Sequence, residues 1–388
     1  TASWMMTAEE VRLYLGRHGI PADDIDEAID NTVWLANRCN AHIESHARFP
    51  LMTGTEDGDN ELFDKMLEEG FKKKVPHGKE AEYRERLEYE KSIIKESHFP
   101  GYFNTVADYI KYCKEPDHAG VRGHIVGKEP TITGAGRGSG AGSLCTYLLD
   151  ITEVDPIPFG LYFERFLTPA RKMEDGWSVW YDDGTEDSFR PSDMPEGLKT
   201  GSEVDSKTVT GVFPAAIGEF PDIDSDFPSS FGDDMIRYLE KRHGRDNVAH
   251  LGNFLYTRPK STFRTISKAF GVKDQKFVSE ITDRFMDELN DDDFLDEDKK
   301  ILDEAKDLSP AHRKLINRVW PHMQRMRSRV RALGTHASGV IIANEPLLGA
   351  IPLRWANGGW VTAFDHDPTE ALGYIKYDVL KVTSLDIL

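Results

Sequence analysis

The sequence predicts an α+β protein in which a block of helices interrupts a set of β-strands. Three observations carry this expectation. Strand-like EFPDIDSDF ends at Phe227, and helical patterning then runs from about Gly271 to Leu333. Strand signals return afterwards in SGVIIAN, GGWVTAFD and GYIKYDVL, and amphipathic helices precede all of these.

In chain order, Thr7 followed by Glu10 fits a capping box, with Met6 and Val11 placed as a hydrophobic staple, so an early helix is expected. Amphipathic helices are expected over about 82–98 and 102–113. In the second, Phe103, Val106, Tyr109, Ile110 and Cys113 recur at helical spacing, and HFPG supplies the break between the two. From Thr131 to Leu167 a glycine-rich loop adjoins a helix and strand-like runs. The stretch Arg171 to Glu219 is polar; WSVWYDDG predicts a small hairpin turning at Asp183 and Gly184, and the whole reads as a surface insertion. After the EFPDIDSDF strand, DDMIRYLEKRHG predicts a helix. The expected division is 1–115, mainly helical; 116–270, mixed, with the insertion at about 171–219; 271–332, all-helical; and 333–388, mixed.

A chain of 388 residues with 39% hydrophobic composition can bury more than one core. No run of eighteen apolar residues exists, so no helical membrane span is expected in this sequence, and its first residues lack the basic-then-apolar profile of a signal peptide. Cys39, Cys113 and Cys145 lie far apart with no close Cys or His partner. A disulfide framework or zinc site is not expected, and a reducing cytoplasm fits. The net charge of −19 argues against a protein that coats nucleic acid nonspecifically, but the charge is segregated. Acids crowd Asp283 to Asp307. No acid occurs from Ser309 to Asn344, which holds Arg313, Lys314, Arg318, Arg325, Arg327, Arg329 and Arg331. That stretch could hold a phosphate backbone, or be a solvated basic helix.

Three runs could carry chemistry. In FPDIDSDF, strand alternation points Asp222, Asp224 and Asp226 to one face and Ile223, Ser225 and Phe227 to the other. Carboxylates so grouped repel unless a cation offsets them, and their hard oxygens suit magnesium or manganese. A polar turn is the plainer alternative; an EF-hand is excluded because Phe227 stands where its sixth-position glycine is needed. TGAGRGSGAGS, 133–143, could bring backbone N–H groups and the positive end of the following helix to a phosphate, with Arg137 as a planar fork. It has no Walker lysine, and a flexible linker is the alternative. In GYIKYDVL, Lys376 and Asp378 share a strand face, as a surface ion pair would too. Together the runs describe two-metal phosphoryl transfer: carboxylates from two strands holding the ions, with a Gly-Ser loop holding a triphosphate in line.

The order of motifs GRGSGAGSL, ITEVDP, FERFL, PDIDSDF, HGRDNVAHLGNF, PKSTFR, GTHASGVIIA and KYDVL resembles the alpha subunit of bacterial DNA polymerase III, the family-C replicative polymerases, over almost the whole chain. The resemblance implies a polymerase-β-like nucleotidyltransferase palm, with 1–115 as its N-terminal helical layer and 271–332 as an inserted helical thumb. It implies template-directed addition of deoxynucleotides to a primer 3′ end with two Mg2+ ions, or Mn2+. Asp224, Asp226 and Asp378 match the family's catalytic, metal-holding carboxylates, and Asp222 matches a structural aspartate. Arg137, Gly138, Ser139 and Lys376 match positions around the incoming triphosphate. Lys260 and Arg264 match basic positions following the catalytic strand, and Arg325, Arg327 and Arg329 would face duplex backbone.

The implied partners are primer–template DNA, deoxynucleoside triphosphates, fingers and clamp-binding regions on another chain or lost by truncation, and indirectly a sliding clamp. No membrane is implied, and the location is the cytoplasm. Both ends are expected to be cut, since the chain lacks an initiator Met and stops at Leu388, soon after Asp378. Residues 171–219 intervene where the family passes almost directly from FERFL to the aspartate strand, and Leu255 in NFLYT stands where glycine is usual. These departures suggest a phage or split-gene version. A non-catalytic primer–template-binding remnant is the alternative from another class, and a template-independent nucleotidyltransferase a third; the complete aspartate set and the basic stretch favour the polymerase.

Overall fold

Thr7 caps the first helix as its spacing requires: its side chain accepts from the Glu10 N–H, and the Glu10 carboxylate accepts from the Thr7 N–H at 2.8 Å. The computed structural model describes residues 6–39, 45–115, 132–168, 174–285, 309–326 and 329–387. Residues 1–44 form a small compact unit of their own, containing α1 (Ala8–Arg17) and α2 (Ala22–Ala36). The expected layer over 1–115 is therefore divided, and Ile25 is the buried apolar side chain of the small unit among the described residues.

In the larger unit, α3 (Glu56–Lys74) packs along α5 (Pro100–Lys114), and α4 (Glu80–Glu96) precedes α5 in the chain. Every residue of α5 from Pro100 to Ile110 is buried, so this helix is enclosed on all sides rather than amphipathic. Its aromatic side chains support the sheet. Tyr102 and Tyr109 pack their rings on Tyr377 at 5.1 and 6.3 Å between centroids, and Tyr109 also meets Phe227.

The main sheet has six strands in the order β5-β10-β7-β6-β9-β8. These are β5 (Asp224–Pro228), β6 (Val248–Tyr256), β7 (Val330–Ile342), β8 (Leu353–Ala356), β9 (Gly359–Thr362) and β10 (Lys376–Val382). β10 pairs parallel with β5 and antiparallel with β7, with Asp378 opposite Asp224. The alternation expected in FPDIDSDF holds: Ile223, Ser225 and Phe227 are buried, while Asp222 is exposed and Asp224 and Asp226 are half-buried. The ladder itself begins only at Asp224, later than the EFPDIDSDF run suggests.

Residues 174–217 form a second sheet, β2-β1-β4-β3, from β1 (Glu174–Tyr181), β2 (Glu186–Phe189), β3 (Glu203–Val204) and β4 (Lys207–Ile217). The hairpin turns at Gly184, whose positive φ of 82° a glycine accommodates. In β4 the apolar run is broken by Pro214, an unusual strand residue, and filled out by small Ala215 and Ala216; the strand is held by its ladder to β1 and by a small core of Val179, Tyr181 and Val209.

Beyond β6 come α8 (Pro259–Ala269), α9 (Gln275–Phe285) and α10 (Pro310–Met326). They share a core separate from that of the main sheet, built from Phe263, Ile266, Ile281, Val319, Trp320 and others. The expected all-helical block to Leu333 is corrected at its end: the helix stops at Met326 and Val330 already belongs to β7. Of the arginines in this stretch, Arg325 stays in the helix and Arg331 falls in the strand. A ladder partner in β6, with Leu255 opposite Ala332 and Tyr256 opposite Val330, decides the matter.

On α7 (Gly232–His243), Tyr238 stacks on Tyr112 and its hydroxyl donates to Asp108. Nearby, burial pushes His243 down to about 4, and its Nε2 is enclosed without a hydrogen-bond partner. A histidine held neutral in the fold contributes stability above its ordinary value near 6.5, and that contribution disappears as the pH falls toward about 4. His243→Gln should flatten the acid limb of the stability curve by on the order of 2 kcal/mol across this window. Urea unfolding at pH 7 and pH 4.5 checks this; an unchanged difference between the two would remove His243 from the acid response.

Candidate active site

The parallel pairing of β5 with β10 builds an acidic cluster at the start of both strands. Among the described residues, Asp222, Asp224 and Asp378 each offer a carboxylate oxygen, and these oxygens lie within 4.8 Å of one another. Lys376 Nζ sits 2.9 Å from Asp378 Oδ2, and the Ser338 hydroxyl donates to Asp378 Oδ1 at 2.9 Å. Ser338 stands inside the GTHASGVIIA run, but its spacing does not single it out as a site residue. Its signal is weak, a polar residue in the strand-like run after His336, and only the β7–β10 pairing brings it to Asp378.

The cluster groups the aspartates differently from the set matched by resemblance. Asp222, matched to a structural aspartate, joins Asp224 and Asp378, whereas Asp226 does not. Asp226 lies one two-residue strand repeat farther along β5, opposite Leu380, while Asp222 precedes Asp224 by the same repeat. Asp226 instead faces the glycine loop. Its carbonyl accepts from Gly134 N–H at 3.0 Å, a Cβ on Gly134 would lie 2.7 Å from that of Asp226, and its Oδ1 is enclosed without a hydrogen-bond partner.

Arg137 bridges the two aspartates of β5, with Nη2 3.1 Å from Asp224 Oδ1 and Nε 3.8 Å from Asp226 Oδ1. Gly138 follows at φ 67° and ψ −156°, and a Cβ there would lie 3.1 Å from Asp224 Oδ2. Ser139 opens a short 3-10 turn, Ser139–Gly142. The loop and the carboxylates are thus one constellation, with Arg137, Gly138 and Lys376 all at the acids.

The electrostatics divide the three acids. Although Asp222 reaches solvent, loss of water on the side facing its neighbours pushes it above the ordinary carboxylate range, and Asp378 and Asp224 add like-charge repulsion against the opposing pull of Lys376. Asp378 goes the other way: burial would raise it, but the hydrogen bonds from Lys376 and Ser338 and the Lys376 charge hold it low. Burial alone would lower Lys376, and Asp378, Asp222 and Asp224 hold it above its ordinary value. Three convergent hard oxygens and an orphaned buried carboxylate oxygen beside them fit a magnesium or manganese site.

One expectation for the loop fails. The helix after it, α6 (Leu144–Leu148), is a single turn, and its free N–H groups are taken: Leu144 and Cys145 donate to the buried Glu90 carboxylate at 3.0 and 3.1 Å. Its positive end is therefore not open to a phosphate.

The basic residues expected at DNA are dispersed. Arg264 pairs with Asp283 at 2.5 Å and donates to Thr282, so its guanidinium is held within the helical lobe. Lys260 is half-buried in the first turn of α8, Arg325 is exposed in the last turn of α10, and Arg329 is exposed just before β7. Arg327 lies outside the described residues. The exposed cations Lys314, Arg318 and Arg325 share one face of α10, four and seven residues apart.

A family model described as the bacterial DNA polymerase III alpha NTPase domain matches residues 61–175 and 216–381. The gap between the matched segments falls within the second sheet. Among similar proteins, the DNA polymerase III subunit alpha of Bacillus subtilis is 29% identical over 374 residues, which cover 93% of this chain and 27% of the relative. The subunit alpha of Thermus aquaticus is 28% identical over 445 residues, covering 99% of this chain and 31% of the relative. That of Pseudomonas aeruginosa is 29% identical over 385 residues, covering 94% and 27%. The chain thus spans less than a third of the length of these relatives. Among the described residues, no helix is long and apolar enough to cross a membrane.

Proposed function

The chain belongs to the bacterial DNA polymerase III alpha family, and from that premise we propose that it carries the nucleotidyl-transfer site of a DNA polymerase: metal-dependent, template-directed addition of deoxynucleotides to a primer 3′ end, releasing pyrophosphate. The observation that supports this best is the convergence of Asp222, Asp224 and Asp378 from two parallel strands beside Arg137 and Gly138. In this reading the main sheet is the palm and the lobe of α8, α9 and α10 is the thumb.

Asp222, Asp224 and Asp378 would hold Mg2+ or Mn2+. Bound there, the metal supplies charge neutralisation for the triphosphate and a lowered pKa for the attacking primer hydroxyl. The chain's own residues do the rest. Arg137, now paired with Asp224 and Asp226, is placed to exchange those carboxylates for phosphate oxygens once the acids are neutralised. The Gly138–Ser139 backbone allows the phosphates to approach closely, and Lys376 and Ser338 orient Asp378 from either side.

The direct test is binding of Mn2+ with a deoxynucleoside triphosphate to this chain, followed by primer extension. The chain is expected to bind the metal–nucleotide pair and to extend a primer processively only when the remaining regions of a full-length relative are supplied. No nucleotide-dependent metal binding would overturn the assignment; processive synthesis by the chain alone would show those regions dispensable.

The thumb reading makes its own prediction. Lys314→Glu with Arg318→Glu should flatten the salt dependence of duplex binding by about one unit of slope for each phosphate no longer neutralised, without changing sequence preference. Fluorescence anisotropy across a salt series measures it, and an unchanged slope would return α10 to a solvated helix face.

A further inference from the structure

The loop beside the acids is held at its far end by a pair of residues that no motif marks. Glu90 is fully buried on α4, yet its carboxylate is saturated: Ser143 Oγ donates at 2.7 Å, Leu144 and Cys145 N–H at 3.0 and 3.1 Å, and Arg86 Nε at 2.6 Å. Arg86 then reaches past it, donating from Nη2 to the Gly142 carbonyl at 3.0 Å and the Leu161 carbonyl at 3.1 Å. Gly142 must lie close to that second segment, because a Cβ there would stand 2.8 Å from the Tyr162 carbonyl. Thr146 Oγ1 ties back to the Gly140 carbonyl at 2.7 Å. Every residue from Gly140 to Cys145 except Ala141 is thus tied, directly or through a neighbour, to Arg86, Glu90 or Thr146.

This pair is poorly placed for the stability of its own helix. Arg86 precedes Glu90 by four residues, the reverse of the order that favours an exposed helix, and a buried ion pair is costly unless its remaining hydrogen bonds are met. Here they are met by the loop. The tied segment leads within one 3-10 turn to Gly138, which lies against Asp224.

We propose that Arg86 and Glu90 are positioning residues of the nucleotide site, fixing Ser139–Gly142 so that Gly138 and Arg137 stay registered on Asp224. The proposal rests on the reading of this loop as the triphosphate site. Glu90 takes the place at Leu144 and Cys145 that a phosphate would otherwise compete for, so the nucleotide is directed to Arg137 and the Gly138–Ser139 backbone instead.

The test uses the whole chain with Glu90→Gln and Arg86→Lys, the second keeping a cation beside Glu90 while losing the fork to Gly142 and Leu161. Both keep the side chain's volume near native, and thermal denaturation verifies folding. Dissociation constants are measured for a fluorescent deoxynucleotide with Mn2+ and separately for primer–template DNA, with hydrogen exchange read at 138–148. Nucleotide affinity is expected to fall about tenfold in Glu90→Gln and about threefold in Arg86→Lys, while primer–template affinity stays within about twofold. Amides at Leu144 and Cys145 should exchange faster in both. Equal losses for nucleotide and DNA, or unchanged nucleotide affinity despite a loosened loop, would overturn the positioning role while leaving the loop's assignment intact. A wild-type chain that binds no nucleotide would instead sink that assignment and the positioning role with it.

Discussion

In the proposed site, Asp224→Asn and Asp378→Asn should each abolish metal-dependent synthesis by the chain supplied with the remaining regions of a full-length relative, reducing the rate by at least about a thousandfold, equivalent to roughly 4 kcal/mol of barrier. The two side chains face each other across the β5–β10 ladder, and neutralising either removes a hard ligand from the centre of the cluster. The fold should survive, since Asn is close to Asp in shape and its side-chain oxygen can still accept from Ser338 or Lys376 at 378 and from Arg137 at 224. The informative comparison is between the neighbouring aspartates. Asp222→Asn should weaken Mn2+ binding nearly as much as Asp224→Asn, because Asp222 lies in the cluster. Asp226→Asn should retain the metal and instead loosen Arg137 and the Gly134 contact. Electron paramagnetic resonance titration of Mn2+ with the four variants separates these cases. Metal binding abolished in Asp226→Asn and kept in Asp222→Asn would place the metal on Asp224, Asp226 and Asp378, the set expected from sequence.

Gly138→Ala should nearly eliminate nucleotide binding while costing the fold only about 1–3 kcal/mol. The residue sits at φ 67° and ψ −156°, a region that L side chains rarely enter, and its new methyl would lie 3.1 Å from Asp224 Oδ2. Backbone relaxation can relieve the strain only by moving the loop off the aspartate, and that movement takes Arg137 with it. Gly160→Ala is the control: it too has a positive φ, 61°, but nothing lies within 4 Å of the added carbon. Calorimetry of nucleotide binding, paired with thermal denaturation, should show comparable destabilisation in the two variants and a loss of binding in Gly138→Ala alone. Equal binding in both would make Gly138 a turn residue without a part in the site.

The sequence by itself determined the capping box at Thr7, the helix over Tyr102–Cys113, the hairpin at Gly184 and the inward–outward alternation of FPDIDSDF, because each depends on local spacing or on the conformational range of one residue. It also placed Arg137, Gly138, Lys376 and Asp378 as parts of one chemistry, and the structure brings these four to the same acids. Only the tertiary structure decided which aspartates meet. Alternation puts Asp222, Asp224 and Asp226 on one face but says nothing of register, and the parallel ladder that sets Asp378 opposite Asp224 is made by residues far apart in the chain. The same dependence hid β4, whose partner is β1, and turned Arg331 from a helix residue into a strand residue through pairing with β6. It hid Glu90 as well. On α4 that residue reads as one more acid of a charged helix, and it becomes the acceptor for Ser143, Leu144 and Cys145 only because a distant loop packs its unsatisfied N–H groups against it.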